Sequence, residues 1–132
     1  MVILDGIHVD PVAFQLLWRC KGSGGIALVT DSIRHQHAHA RPAKGAFYTP
    51  HGVLAGSRLT MIRAVRNAVV FGKIALGDAV RMASLNPARL IGEDQRRGSL
   101  EVGKQADVVV FDHQFRVSTT IVGGETVYQR HR

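Results

Sequence analysis

The run Ile26-Ala27-Leu28-Val29 ends two residues later on a carboxylate, Asp31, and this stretch, GIALVTDSI at residues 25–33, constrains the fold more than any other. An unbroken apolar run of this length fits a parallel strand covered on both faces. In such sheets ligands gather at the carboxyl ends of the strands, which is where Asp31 falls. The same aspartate could simply open a turn or cap a following segment.

The residues before this run supply its partner. Val2, Ile3 and Leu4 predict a short strand leading into Asp5-Gly6-Ile7-His8-Val9-Asp10-Pro11. Asp10 suits an N-cap and Pro11 a first helical position, where its missing N–H costs nothing. The helix should reach about Lys21, with Phe14, Leu17 and Trp18 as its buried stripe, Cys20 packed as a small apolar side chain, and Gly22 as its stop. Strand, helix, strand is a crossover unit and predicts parallel pairing.

Residues 32–52, SIRHQHAHARPAKGAFYTPHG, lack helical periodicity and read as a loop over the strand ends. His35, His37 and His39 alternate, so on an extended strand they would share one face and could hold a metal; the alternative is a solvated loop. Residues 52–57 read as a glycine-flanked turn, from which Ser57 or Thr60 caps a helix ending near Phe71-Gly72, with Met61, Val65, Ala68 and Val69 as its apolar face. A second helix follows over residues 76–84, offering Ala79, Val80, Met82 and Ala83 for packing. Asn86-Pro87 reads as the cap and first turn of a third, stopped by Gly92. From Gly98 the pattern becomes that of strands, continuing through residues 106–112, 117–122 and 126–129, with a Gly123-Gly124 hairpin turn.

Composition narrows the partners. With 17 Lys and Arg against 10 Asp and Glu, the net charge is +7, but the basic residues are scattered from Arg19 to Arg132 with no single stripe. Nucleic-acid binding is therefore not expected, although a basic module acting on a polyanion remains the rival from another functional class. A second rival is a metal-binding protein built on His35, His37 and His39. One cysteine cannot form an internal disulfide, and no apolar run approaches the ~18 residues of a membrane span, so a soluble cytoplasmic protein is expected.

Three stretches, DGIHVDP at 5–11, LVTDS at 28–32 and GVLAGSRLTMIRAVRN at 52–67, resemble the N-acetylglucosamine-6-phosphate deacetylase family of the amidohydrolase superfamily. MASLNPARLIG and GSLEVGKQADVVVFD are similar to segments found more widely in the superfamily. The likeness fails only over residues 35–48, where the family has a longer segment with a strand hairpin. The resemblance implies an α/β fold: the C-terminal portion of a (β/α)₈ TIM-type barrel over residues 1–97, then strands of a small β-sandwich over 98–132. A complete barrel needs about 250 residues, more than this chain holds.

The implied reaction is metal-assisted hydrolysis of the acetamide of a phosphorylated amino sugar, giving acetate and glucosamine 6-phosphate. A divalent metal, zinc or iron, would polarise the carbonyl and activate water. Its family ligands, a Glu and two His on earlier strands, have no counterpart in these residues. Asp31 matches the catalytic aspartate, taking the proton of water and returning it to the leaving amine. His8 matches a substrate-binding histidine, against the alternative of a structural histidine at a strand end. Leu54, Ala55 and Gly56 match a turn that contacts the substrate, where glycine permits close backbone approach. The chain by itself is expected to be inactive, and to form a homo-oligomer or to need a complementary upstream fragment.

Overall fold

The computed structural model describes residues 1–33, 41–43 and 45–130, with the backbone alone for 41–43. At its centre, β1 (Val2–Ile3) pairs in parallel with β2 (Leu28–Val29), with Val2 opposite Leu28 and Ile3 opposite Val29. The crossover between them is α1 (Pro11–Lys21), and its boundaries follow from local chemistry. The Asp10 side chain accepts from the Val12 N–H at 2.7 Å, Pro11 occupies the first turn, and Gly22, at φ +61°, returns its N–H to the Trp18 carbonyl.

Phe14 is fully buried, and Leu17 and Trp18 pack against the same core, as the spacing predicts. Truncating a buried phenylalanine to alanine costs about 3–5 kcal/mol, so Phe14 alone carries a large part of the packing of α1. It packs close to α2 (Met61–Gly72): a Cβ on Gly72 would lie 2.8 Å from Phe14 Cε1, so a glycine is required there. The Gln15 amide donates to the Phe71 carbonyl at 2.7 Å and ties the two helices together. Next come α3 (Leu76–Ala83) and α4 (Leu85–Leu90). Val65, Ala68, Ala79 and Met82 complete the core with Leu4, Ile26 and Leu28, whereas Val80 stays partly exposed.

Two sequence expectations are corrected between residues 41 and 57. Instead of a loop, β3 (Arg41–Ala43) and β4 (Ala46–Tyr48) form an antiparallel hairpin around Gly45, and instead of a turn, β5 (Leu54–Ser57) adds the third strand in the order β3-β4-β5. Strands of three and four residues are too short to show a period, although Ala46 and Phe47 are buried. Residues 35–39 lie outside the described residues, and so does any metal reading placed on them.

Other expectations are also revised. Asn86 does not cap α4, because Ser84 holds that position. The Asn86 amide instead donates to the Ser23 and Ile26 carbonyls, the latter at 2.6 Å, and binds α4 to the entry of β2. Cys20 lies off the buried stripe and is exposed. Residues 98–107 form turns without strands, pinned where the Gln105 N–H donates to the Arg96 carbonyl at 2.8 Å. The antiparallel sheet that follows has the order β6-β7-β8, from β6 (Val108–Phe111), β7 (Val117–Val122) and β8 (Glu125–Gln129). Among the described residues, no helix is long and apolar enough to cross a membrane.

Candidate functional site

Both parallel strands end at the same edge of the sheet, and each presents an aspartate there: Asp5 two residues beyond Ile3, Asp31 two residues beyond Val29. Asp5 organises the turn after β1. Its Oδ1 accepts the backbone N–H groups of Ile7 at 2.9 Å and His8 at 2.8 Å, while Oδ2 lies 2.7 Å from His8 Nδ1. The side chains of Asp5 and His8 are 5% and 15% exposed, so the pair is largely shielded from water. Burial pushes the Asp5 carboxyl up, but the two N–H groups and the His8 ring outweigh it and hold the group below its ordinary value. Gly6 makes the turn possible at φ +80°, with Phe71 packed beneath it. The buried Asn67 amide donates to the Leu4 carbonyl at 2.8 Å and anchors the strand end to α2.

Asp31 is exposed and sits in the left-handed region at φ +46°, a conformation that aspartate tolerates better than most residues. Its position is fixed through the backbone by β5. The Ser57 N–H donates to the Asp31 carbonyl at 2.9 Å, the Ser57 hydroxyl donates to the Thr30 carbonyl, and Ser57 Oγ accepts the Leu59 N–H at 2.9 Å. A parallel bridge between Ser32 and Ser57 continues the contact. The strand holding Leu54, Ala55 and Gly56 is therefore joined to the residues around Asp31, while His8 stands at the end of the neighbouring strand. Gly56 does permit a close approach, and the group that approaches is Ile33, whose side-chain carbons lie 3.1–3.2 Å from where a Cβ would be.

Sequence reasoning missed Asp5 and the clamping role of Ser57. The Asp5 signal was available as an aspartate three residues before a histidine, whereas nothing local marks Ser57. A cavity of about 340 Å³ lies elsewhere, between α2, α3 and β6. Met61, Val65, Val80, Leu100, Val108 and Phe111 line it, and none of the candidate residues borders it. It is largely apolar space between the helices and the C-terminal sheet, with Ser84, Ser99 and Asp107 also in its lining. Among the described residues, no group of three or more His, Cys, Asp and Glu side chains could hold a metal.

Comparison with known proteins identifies the family. The model of the amidohydrolase family matches residues 1–127. The chain is 35% identical to the N-acetylglucosamine-6-phosphate deacetylase of Haemophilus influenzae, over 94% of this chain and 35% of that protein. It is 37% identical to the N-acetylgalactosamine-6-phosphate deacetylase of a Shewanella species, over 97% and 35%. The crystal structure of the Pasteurella multocida N-acetylglucosamine-6-phosphate deacetylase superposes with a TM-score of 0.87 at 35% identity, covering 95% of this chain and 35% of that one. The chain thus spans about a third of the length of these relatives and forms one segment of a fold that contains a TIM-type barrel. Support falls on the hydrolase reading, and the polyanion and histidine-loop alternatives receive none. The chain belongs to the amidohydrolase family.

Proposed function

We propose that this chain supplies part of the active site of an N-acetylglucosamine-6-phosphate deacetylase, hydrolysing the acetamide of a phosphorylated amino sugar to acetate and glucosamine 6-phosphate in the cytoplasm. The observation that carries this reading is the convergence at one sheet edge of an exposed carboxylate, Asp31, and an imidazole held by its own carboxylate, His8 with Asp5. The identities of 35% and 37% to two amino-sugar-phosphate deacetylases support the substrate class. On this reading residues 1–97 contribute the C-terminal portion of a (β/α)₈ barrel, and residues 98–132 strands of a β-sandwich.

The roles follow from the chemistry of each group. Asp31 takes a proton from the water that attacks the amide carbonyl and delivers it to the departing amine, so one carboxylate serves as base and then as acid. Its carboxylate is exposed and has no hydrogen-bond partner among the described residues, which suits a group that must receive and release a proton. His8 binds the sugar beside it, and Leu54, Ala55 and Gly56 form the adjacent backbone wall. The divalent metal that family chemistry implies does not fit the described residues, which bring no three ligands together. Its ligands would have to come from outside them.

The test is co-expression of the chain with the part of the Haemophilus influenzae deacetylase that it does not cover. The complex should release acetate from N-acetylglucosamine 6-phosphate, and Asp31→Asn should lower the rate by about 10²- to 10⁴-fold, the usual contribution of a positioned acid–base group. A stable complex without acetate release, or one indifferent to Asp31→Asn, refutes the proposal.

A further inference from the structure

The two oxygens of Asp5 do separate work. Oδ1 accepts two backbone N–H groups, at 2.9 and 2.8 Å, and that alone closes the turn from Asp5 to His8. Oδ2 is not needed for the turn, yet it lies 2.7 Å from Nδ1 of an imidazole whose side chain is only 15% exposed. An ionised carboxylate can only accept hydrogen bonds, so the ring nitrogen facing it must carry the proton. In a neutral imidazole the other nitrogen is then a bare lone pair. Among the described residues His8 Nε2 has no partner, and Asn67 on the Leu4 carbonyl and Phe71 beneath Gly6 hold the loop in place.

We propose that Asp5 is a positioning residue that locks His8 in the Nδ1–H tautomer and presents Nε2 as a hydrogen-bond acceptor, selecting an O–H or N–H donor on the bound ligand. The ligand clause rests on the reading that His8 contacts substrate, while the tautomer clause stands without it. A purely structural Asp5 would be satisfied by either tautomer, because the turn is made by Oδ1. Asp5→Asn separates the two roles. The amide oxygen still accepts the Ile7 and His8 N–H groups, but the amide nitrogen, a donor, now faces Nδ1. The ring must offer a lone pair there, so its proton moves to Nε2.

The readout is ¹⁵N NMR of the imidazole nitrogens in the full 132-residue chain at about pH 8.5, where an ordinary imidazole is neutral. His8→Gln identifies the His8 signals among the seven histidines. The same nitrogens can be read in the solid state, so self-association does not interrupt the measurement. The wild-type chain should show the proton on Nδ1, and Asp5→Asn should transfer it completely to Nε2. A wild-type proton on Nε2, or a tautomer unchanged in Asp5→Asn, overturns the assignment. Should Asp5→Asn fail to fold, the wild-type spectrum alone decides. Because no substrate is present, absence of acetate release in the complementation assay would remove the deacetylase reading and leave the tautomer to be judged on its own spectrum.

Discussion

Replacing Gly56 with alanine tests whether β5 is what fixes Asp31. Gly56 is buried at φ +133°, where L side chains are strained at a cost of about 1–3 kcal/mol. The added Cβ would also meet Cδ1, Cγ1 and Cγ2 of Ile33 at 3.1–3.2 Å. Ile33 is only half-buried and can yield, so this crowding belongs near the lower end of the ~1–3 kcal/mol typical of overpacking. Together the two effects predict a loss of about 2–4 kcal/mol, a large fraction of the 5–15 kcal/mol or so that holds an ordinary domain together. With urea slopes of about 1–3 kcal/mol per molar, the unfolding midpoint should fall by roughly 1–2 M. Amide exchange at Ser57, whose N–H bonds the Asp31 carbonyl, should accelerate in parallel. Combining Gly56→Ala with Ile33→Ala removes the crowding and leaves the backbone strain, so the double variant should be more stable than the sum of the singles by about 1 kcal/mol. A stability change under about 0.5 kcal/mol, or strict additivity of the two substitutions, would refute the claim that Gly56 sets this approach.

The 132-residue chain by itself should release no acetate from N-acetylglucosamine 6-phosphate with added Zn²⁺, Fe²⁺ or Co²⁺, since the described residues assemble no metal shell; release above the metal-only blank that Asp31→Asn abolishes would show otherwise. Asp5, held below its ordinary value of 3.8, should contribute stability that is fully present above about pH 4 and lost as pH falls through its lower folded value; a stability gap between wild type and Asp5→Asn that widens on acidification in urea titrations would contradict this. The sheet β6-β7-β8 leaves Val109, Val110, Val122, Val127 and Tyr128 about half exposed or more, so the chain should self-associate or bind an apolar dye; a sharp monomer in analytical ultracentrifugation without dye binding would exclude it. Zn²⁺ should not bind stoichiometrically at micromolar affinity, because Arg34, Arg41 and Lys44 place positive charge among His35, His37 and His39 in the sequence; calorimetry on the triple alanine variant decides the point.

How far the sequence reveals this fold depends on how local each determinant is. Every signal that bounds α1, namely the Asp10 cap, Pro11, the Phe14-Leu17-Trp18 stripe and Gly22, lies within the helix or one residue from it, and the element forms as read. The hairpin of β3 and β4 has no such signal, because strands of three residues are too short to show a period. Asn86 shows the opposite error. Its place before Pro87 is a strong local cap signal, but the side chain serves carbonyls about sixty residues away, and Ser84 takes the cap position. Phe14 and Val65 are buried, while exposed apolar side chains lie both on the helices, at Val12, Leu16, Val70 and Leu90, and on the C-terminal sheet. Val108-Val109-Val110 forms a strand as expected, with its middle and last valines about half exposed.

The site divides along the same line. Asp31 is legible because an apolar strand that stops on a charge is a one-dimensional pattern. The function of Asp5 is not, because Asp-Gly after a strand signals a turn, and the turn is real: Oδ1 makes it. What the pattern cannot show is that the second oxygen faces a ring nitrogen three residues on, which turns a turn-former into the group that decides where the His8 proton resides. Ser57 is a similar case, since a serine near a helix start reads as a cap, whereas its N–H donates to the Asp31 carbonyl and its hydroxyl to the Thr30 carbonyl. In both places a residue with an ordinary local role turns its remaining hydrogen-bonding capacity to a candidate residue, three residues on for Asp5 and on a neighbouring element for Ser57. Reading such a site therefore requires counting donors and acceptors on each polar side chain after its local structure has been satisfied, and asking what the surplus atom faces.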